Sequence, residues 1–227
     1  MKRSIFLLAV FAANPVFAQD VSFDVDFRLH VADGVAEQDV YVEQVPGSDN
    51  VQRPGPEFAD RGAALYASTT PQSHAPTDPK AVGPFPKGKP LDVTLGEWLN
   101  ASGAGQYSCS AGQGRLNINF EGLVPGGVYT LWHFFMVNGA TDPFIGTFDL
   151  PVGELDGSQA TFIADSAGNA VFDQTLASCL QLTGNQLVAG LAVNWHSDGK
   201  TYGVEPGAFG QSAHIQLYTD LPAAKTE

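Results

Sequence analysis

The side chains best suited to chemistry in this sequence are its five histidines. Neutral imidazoles that converge from several strands can hold zinc or copper, with a thioether or a carboxylate as a further ligand. His133, His196 and His214 lie in or beside strongly apolar segments and are the candidate metal ligands, with Met136 or Asp198 as the further ligand. No His-x-His or His-Glu-x-x-His spacing occurs, so separate hydrogen-bonded histidines are the alternative interpretation. We therefore expect no cofactor unless these histidines hold copper or zinc.

Aromatic side chains form the second candidate set. Exposed aromatic rings bind sugars and apolar ligands well. Trp132 and Trp195 lie in segments that are apolar on both faces, which favours packing in the core. Tyr202 and Phe209 lie in the glycine-rich stretch 199–210, which we expect to be a loop, and loops commonly carry binding residues. These two are the predicted ligand-binding residues.

Recognised motifs for catalysis are absent from the sequence. There is no Gly-x-Ser-x-Gly turn, and Ser212 beside His214 is a Ser–His pair only in sequence, whereas a triad is defined by geometry. Asp24 and Asp26 alternate along a polar strand face, which is typical of a solvated surface rather than of paired catalytic carboxylates. The sequence therefore favours a protein without catalytic activity, and a hydrolase using Ser212 and His214 is the weaker alternative.

The charge balance excludes some partners. Among 227 residues there are 11 Lys and Arg against 24 Asp and Glu, for a formal net charge of -13. Nucleic-acid binding needs a basic surface, so we expect no nucleic-acid partner. Attraction to an anionic membrane surface is disfavoured for the same reason. The expected partner is a small ligand, a glycan or a protein.

The first residues have the pattern of an export signal. Residues 1–3 are basic at two positions, residues 4–13 are apolar, and 16–18 place small residues where signal peptidase requires them. We predict cleavage between Ala18 and Gln19 and a periplasmic or secreted protein. The apolar run is too short to span a bilayer and no second long run occurs, so no membrane span is expected.

Export to an oxidising compartment would favour a disulfide between the two cysteines. In an oxidising compartment, Cys109 and Cys179 are expected to form one disulfide, which would close a loop of about 70 residues. A metal thiolate or a reactive pair is the less favoured alternative, because the spacing is wide and no Cys-x-x-Cys occurs.

The elements that must position these residues are short strands. Residues 21–31 alternate strictly between apolar and polar, and 40–45 are the candidate returning strand after an Asp33-Gly34 turn. Residues 128–137 are apolar on both faces, which predicts a central strand. A capping box at Thr94 predicts one short helix at 95–101. Further strands are predicted at 106–110, 115–120, 144–150, 161–164, 170–176, 187–196 and 214–219.

This spacing predicts an all-β protein, an antiparallel β-sandwich that is immunoglobulin-like or jelly-roll-like, with one short helix. Many prolines and little periodicity mark a long excursion, expected to be extended and partly disordered. The predicted organisation is a signal peptide at 1–18, N-terminal strands at 19–45, the Pro-rich loop at 46–90, the sandwich core at 91–221 and a tail at 222–227.

Two segments carry a resemblance to known proteins: GLVPGGVYTLW at 122–132 and WHSDGKTYG at 195–203. Together with 94–99 they resemble an uncharacterised family of exported bacterial β-sandwich proteins, over residues 90–220. The first segment is also similar to the extracytoplasmic domain of anti-sigma-K-type factors and, in Gly-Leu-x-Pro-Gly, to copper/zinc superoxide dismutases. The resemblance to the exported family implies fold and location but no activity. Because His133 stands alone where dismutases have His-x-His, no dismutase activity is expected.

The functional expectation is therefore an exported, disulfide-linked β-sandwich that acts as a non-catalytic binding or interaction module. The alternative is a copper- or zinc-binding protein that uses the strand histidines.

Overall fold

The structure is a computed structural model, and it describes residues 20–29, 39–55, 58–72, 82–137, 148–185 and 187–224. Short strands dominate these ranges, as the spacing of apolar segments predicts. In chain order the elements are β1 (Val21–Leu29), β2 (Val42–Glu43), β3 (Asn50–Gln52), β4 (Ala64–Ser68), β5 (Phe85–Thr94), α1 (Leu95–Trp98), β6 (Ser102–Ser110), β7 (Gln113–Glu121), β8 (Val128–Val137), β9 (Phe148–Pro151), β10 (Thr161–Ile163), β11 (Ala170–Leu176), β12 (Leu187–His196) and β13 (Ala213–Asp220).

The larger strands form two antiparallel layers that share β1. The first layer has the order β1-β6-β7-β11, and the second has β13, β12 and β8, with β9 and β10 both paired to the free edge of β8. The first seven residues of β1 pair with β6, whereas Arg28 and Leu29 pair with Tyr218 and Leu217 of β13. This arrangement confirms the predicted all-β sandwich with one short helix.

Alternation along the strands builds the core between the layers. In β8, Tyr129, Leu131 and Phe135 face the first layer and are buried. Phe162 of β10 stacks on Phe120 of β7 at 5.1 Å and on Tyr129 at 5.5 Å between ring centroids, so aromatic contacts join the layers. β8 has the predicted bounds and the predicted central position, because β12 pairs with one of its edges and β9 and β10 pair with the other.

A second, smaller sheet lies in the segment expected to be an irregular excursion. Its strand order is β2-β3-β5-β4. The pairing of β4 with β5 has register shifts on both sides of Tyr66, and Pro90 sits opposite that residue, where an irregular ladder tolerates the missing N–H. The predicted returning strand at 40–45 is reduced to β2, which pairs with β3 rather than with β1. The predicted Asp33-Gly34 turn lies outside the described residues.

Two local predictions are confirmed. Thr94 Oγ1 accepts the Glu97 N–H at 3.3 Å, and the Glu97 carboxylate accepts the Thr94 N–H at 2.8 Å, which is the capping box of α1. Cys109 and Cys179 form a disulfide. Within the described ranges, no helix is long and apolar enough to cross a membrane.

Candidate functional site

The three candidate metal ligands do not come together. His214 is the register partner of Trp195, so these two share the face of the second layer that points into the core, and His196 points to the opposite face. His133 shares the core face, but its register partner Leu191 is four residues from Trp195, about 13 Å along β12. Among the described residues, no group of three or more His, Cys, Asp and Glu is placed to hold a metal ion.

The two histidines on the core face are bonded as buried neutral rings. His133 Nε2 lies 3.0 Å from the Gln181 carbonyl oxygen, and His214 Nδ1 lies 2.5 Å from the Asp39 carbonyl oxygen. Because a carbonyl only accepts, both nitrogens carry the proton. Burial lowers the pKa of His133 and of His214 to about 4. Both rings are therefore uncharged at neutral pH.

His214 also contacts a serine that the sequence did not single out. Its Nε2 lies 3.0 Å from Ser197 Oγ and accepts the hydroxyl proton, since Nδ1 carries the ring proton. Ser212, the predicted partner of His214, instead accepts the Ser197 N–H through its backbone carbonyl at 3.0 Å. No spacing rule links Ser197 to His214, because β12 and β13 are joined by a long loop and a register shift.

The turn at Ser197 does not supply the other parts of a hydrolytic site. An acyl-transfer site needs N–H donors free to bind an oxyanion. The Gly199 N–H donates to the His196 carbonyl at 3.0 Å, and the Lys200 N–H donates to Asp198 Oδ1 at 3.1 Å. Both donors are therefore occupied, and we interpret the Ser197–His214 bond as a structural contact.

The opposite face of β8 and β12, here called the outer face, carries a buried polar cluster. Asn194 and His196 alternate along β12, and Thr130 of β8 is the register partner of Asn194. His196 Nε2 lies 2.7 Å from Thr130 Oγ1, and burial lowers the pKa of His196. Trp132 lies two residues along β8 and is 3 % exposed. Thr130, Asn194 and His196 are each at most 2 % exposed.

Two loops lie near the outer face and touch each other. They are the 150s loop (153–158) and the 200s loop (197–212). Both Gly157 and Gly203 have positive φ, +79° and +67°, and a Cβ at Gly157 would lie 2.7 Å from the Gly203 carbonyl oxygen. Asn194 Nδ2 donates to the Pro206 carbonyl at 2.9 Å, so the 200s loop lies over Asn194. Only glycine permits this backbone approach with this conformation.

Tyr202, the first predicted ligand-binding residue, lies in the 200s loop as expected. Its hydroxyl donates to Asp198 Oδ2 at 2.5 Å, and its ring centroid is 6.0 Å from that of His196. Partial burial by itself would raise the pKa of Asp198, but the hydrogen bonds from Tyr202 and from the Lys200 N–H outweigh burial and lower it. Asp198 is therefore ionised at neutral pH and holds the Tyr202 ring at the surface.

Phe209, the second predicted ligand-binding residue, is half-buried at the other end of the same loop. Its carbonyl accepts the Gln72 N–H at 2.9 Å, and the next residue, Gly210, accepts the Ser68 N–H at 2.8 Å. These bonds attach the 200s loop to β4 and the segment that follows it. Phe209 thus lies where the loop is anchored, whereas Tyr202 lies where it is exposed.

Sequence reasoning missed two exposed apolar residues in the two loops that touch at Gly157 and Gly203. Leu155 and Val204 are each 60 % exposed, and they lie within two residues of the Gly157–Gly203 contact. Leu155 stands between Glu154 and Asp156, and Val204 stands between Gly203 and Glu205, so each is an isolated apolar residue next to an acidic one, which is a signal that the sequence does contain. What the sequence lacks is any indication that the two loops meet.

Comparison with known proteins adds no relative to this description. No known protein family, no curated protein and no solved structure matches the chain.

Proposed function

We propose that this protein is an exported, non-catalytic binding module whose recognition surface is formed by the 150s loop and the 200s loop. The observation that carries the proposal is the group of exposed apolar side chains at the point where the loops touch. Leu155 and Val204 are 60 % exposed and Tyr202 is 40 % exposed. Apolar side chains brought together on loops above a rigid sheet are typical of interaction sites.

The support beneath the loops suits binding. The 200s loop is held over Asn194 by the bond to the Pro206 carbonyl, and the Gly157 carbonyl accepts the Thr161 hydroxyl at 3.1 Å. These bonds hold the exposed side chains of the two loops in place in the unbound protein. Export is supported by the signal-like start of the chain and by the Cys109–Cys179 disulfide, since disulfides persist in oxidising compartments.

Amide chemical shifts test the proposal. The purified protein is titrated with cellohexaose, with the peptide Ac-Arg-Phe-NH2 and with the peptide Ac-Glu-Phe-NH2. We expect at least one probe to perturb amides of both loops. Val204→Ser should weaken that binding about fivefold, because one exposed apolar contact is lost. Val171→Ser is the matched control, since Val171 is 63 % exposed on β11, away from both loops.

Two results would contradict the proposal. One is that none of the three probes perturbs either loop. The other is that Val171→Ser weakens binding as much as Val204→Ser does, which would place the contact elsewhere.

A further inference from the structure

Asn194 carries a buried hydrogen-bond acceptor. The residue is 1 % exposed, and among the described residues nothing hydrogen-bonds its Oδ1. The amide orientation is fixed, because Nδ2 donates to the Pro206 carbonyl, which can only accept. An unsatisfied buried acceptor is costly, so this site is suited to a group that donates hydrogen bonds.

The loops above Asn194 are negatively charged. They contain four carboxylates and one lysine, namely Glu154, Asp156, Asp198, Glu205 and Lys200. Lys89 of β5 adds one positive charge nearby, through a 3.1 Å bond to the Ser197 carbonyl. Hydrogen bonds to Ser158 lower the pKa of Asp156, so that this carboxylate is charged at neutral pH. The charge balance remains negative and repels anionic ligands.

An aromatic ring lies beside one of these carboxylates. Tyr202 is 40 % exposed, and its hydroxyl is already bound to Asp198. The exposed part of the residue therefore offers its ring to a ligand. Aromatic faces attract organic cations, and carboxylates beside them strengthen that preference.

We infer that the two-loop surface recognises an organic cation, a guanidinium or ammonium group carried on an apolar arm. The cation takes the Asp198 carboxylate and Asn194 Oδ1 as acceptors and packs on Tyr202, while the apolar arm contacts Leu155 and Val204. Because Asn194 lies beneath Pro206, that part of the 200s loop must move to admit the ligand. This inference rests on the proposed function and adds the chemistry of the ligand to it.

The test compares each cation with a neutral molecule of the same shape. The peptide Ac-Arg-Phe-NH2 is matched with its citrulline counterpart, and phenethylammonium with phenethyl alcohol. We expect each cation to bind at least about tenfold more tightly than its neutral match and to weaken as salt is added. The peptide pair and the amine pair distinguish a protein side chain from a free amine as the source of the cation.

Variants locate the effect. Asp198→Asn keeps the acceptor for the Lys200 N–H and should weaken cation binding about tenfold, through loss of one charged acceptor. Glu121→Gln, an exposed position on β7, removes the same charge far from the loops and should change affinity less than twofold. Asn194→Leu tests the buried acceptor. The circular dichroism spectrum of this variant is recorded before the titration to check that it folds.

The outcomes separate the two proposals. If the neutral probes perturb the loops as tightly as the cations do, the cation inference is wrong and the binding module stands. If none of the four probes perturbs either loop, the cation inference is wrong, and the binding module is wrong as well if cellohexaose and Ac-Glu-Phe-NH2 also leave both loops unperturbed. Equal losses for Asp198→Asn and Glu121→Gln would also overturn the cation inference, since they would show non-specific attraction to an acidic protein.

Discussion

Acidification should destabilise this protein through its buried neutral histidines. His214 is fully buried, and the groups facing it are the Asp39 carbonyl and carboxylate, Lys89 and His196. Burial lowers its pKa from 6.5 to about 4. Protonating the ring in the folded state would place a cation where Nδ1 and Nε2 already have partners that suit the neutral form.

The sign and size follow from the two pKa values. Since the pKa is lower in the folded state, the unfolded chain binds the proton first, and stability is lost as pH falls from 6.5 towards 4. A pKa of 6.5 in the unfolded chain and of about 4 in the folded protein corresponds to a full loss of about 3 kcal/mol in the free energy of unfolding. About 2 kcal/mol of this is lost between pH 7 and pH 4.5. His133 has the same pKa and should contribute a similar amount.

Urea unfolding of the wild type and of His214→Asn at pH 7 and pH 4.5 measures this term. Asparagine keeps a donor for the Asp39 carbonyl but does not titrate, so the variant should lose about 2 kcal/mol less than the wild type on acidification. His133→Gln, which keeps a donor for the Gln181 carbonyl, should behave alike. Contributions from carboxylates cancel in the comparison. An identical pH dependence for wild type and His214→Asn would refute the reasoning.

Two further predictions concern the framework. Replacing Cys109 and Cys179 with serine should lower the free energy of unfolding by about 4 kcal/mol, measured in urea, because the unfolded chain regains the freedom of a 70-residue loop. A stability equal to that of the wild type would contradict this. Gly105→Ala should cost about 1–3 kcal/mol, since its Cβ would lie 2.0 Å from the Asn117 carbonyl oxygen. Gly184→Ala, with nothing within 4 Å, is the matched control and should leave thermal unfolding unchanged.

Much of the sandwich could be predicted because its strands carry complete patterns. Residues 128–137 and 187–196 become β8 and β12 with the predicted bounds, since continuous apolar runs mark strands that are covered on both faces. The capping box at Thr94 correctly marks the start of α1, although the helix ends at Trp98 rather than at 101. Local chemistry of this kind is contained in a few adjacent residues.

The small sheet could not be predicted, because its strands are too short or too irregular to show a pattern. β2 and β3 have two and three residues, too few to show alternation, and β5 contains prolines that argue against a strand. What stabilises the sheet is distant in sequence. Asp39 accepts from Arg53 of the segment after β3 and from the Ile215 N–H of β13 at 3.1 Å.

The candidate site could not be predicted, because it depends on the face of the sheet to which each side chain points and on the register between strands. Neither can be read from the sequence of one strand. His196 follows Trp195, so one of them must face away from the core, and the sequence does not say which one. The metal hypothesis required His133, His196 and His214 to lie close together, and the strand register places them apart. Leu155 comes near the segment that carries Tyr202 and Val204 only because the 150s loop and the 200s loop touch at two glycines.

Because β1 belongs to both layers, its pairing depends on strands that are synthesised at very different times. β1 ends at Leu29, but Arg28 and Leu29 pair with β13, which starts at Ala213. At ribosomal rates of about 5–20 residues per second, the first strand is made about 10–40 s before its last partner. The layers therefore cannot close around β1 until nearly the whole chain has been synthesised. The pairing of β1 with β6 needs only the first half of the chain, so the first layer can begin to form long before the second layer is complete.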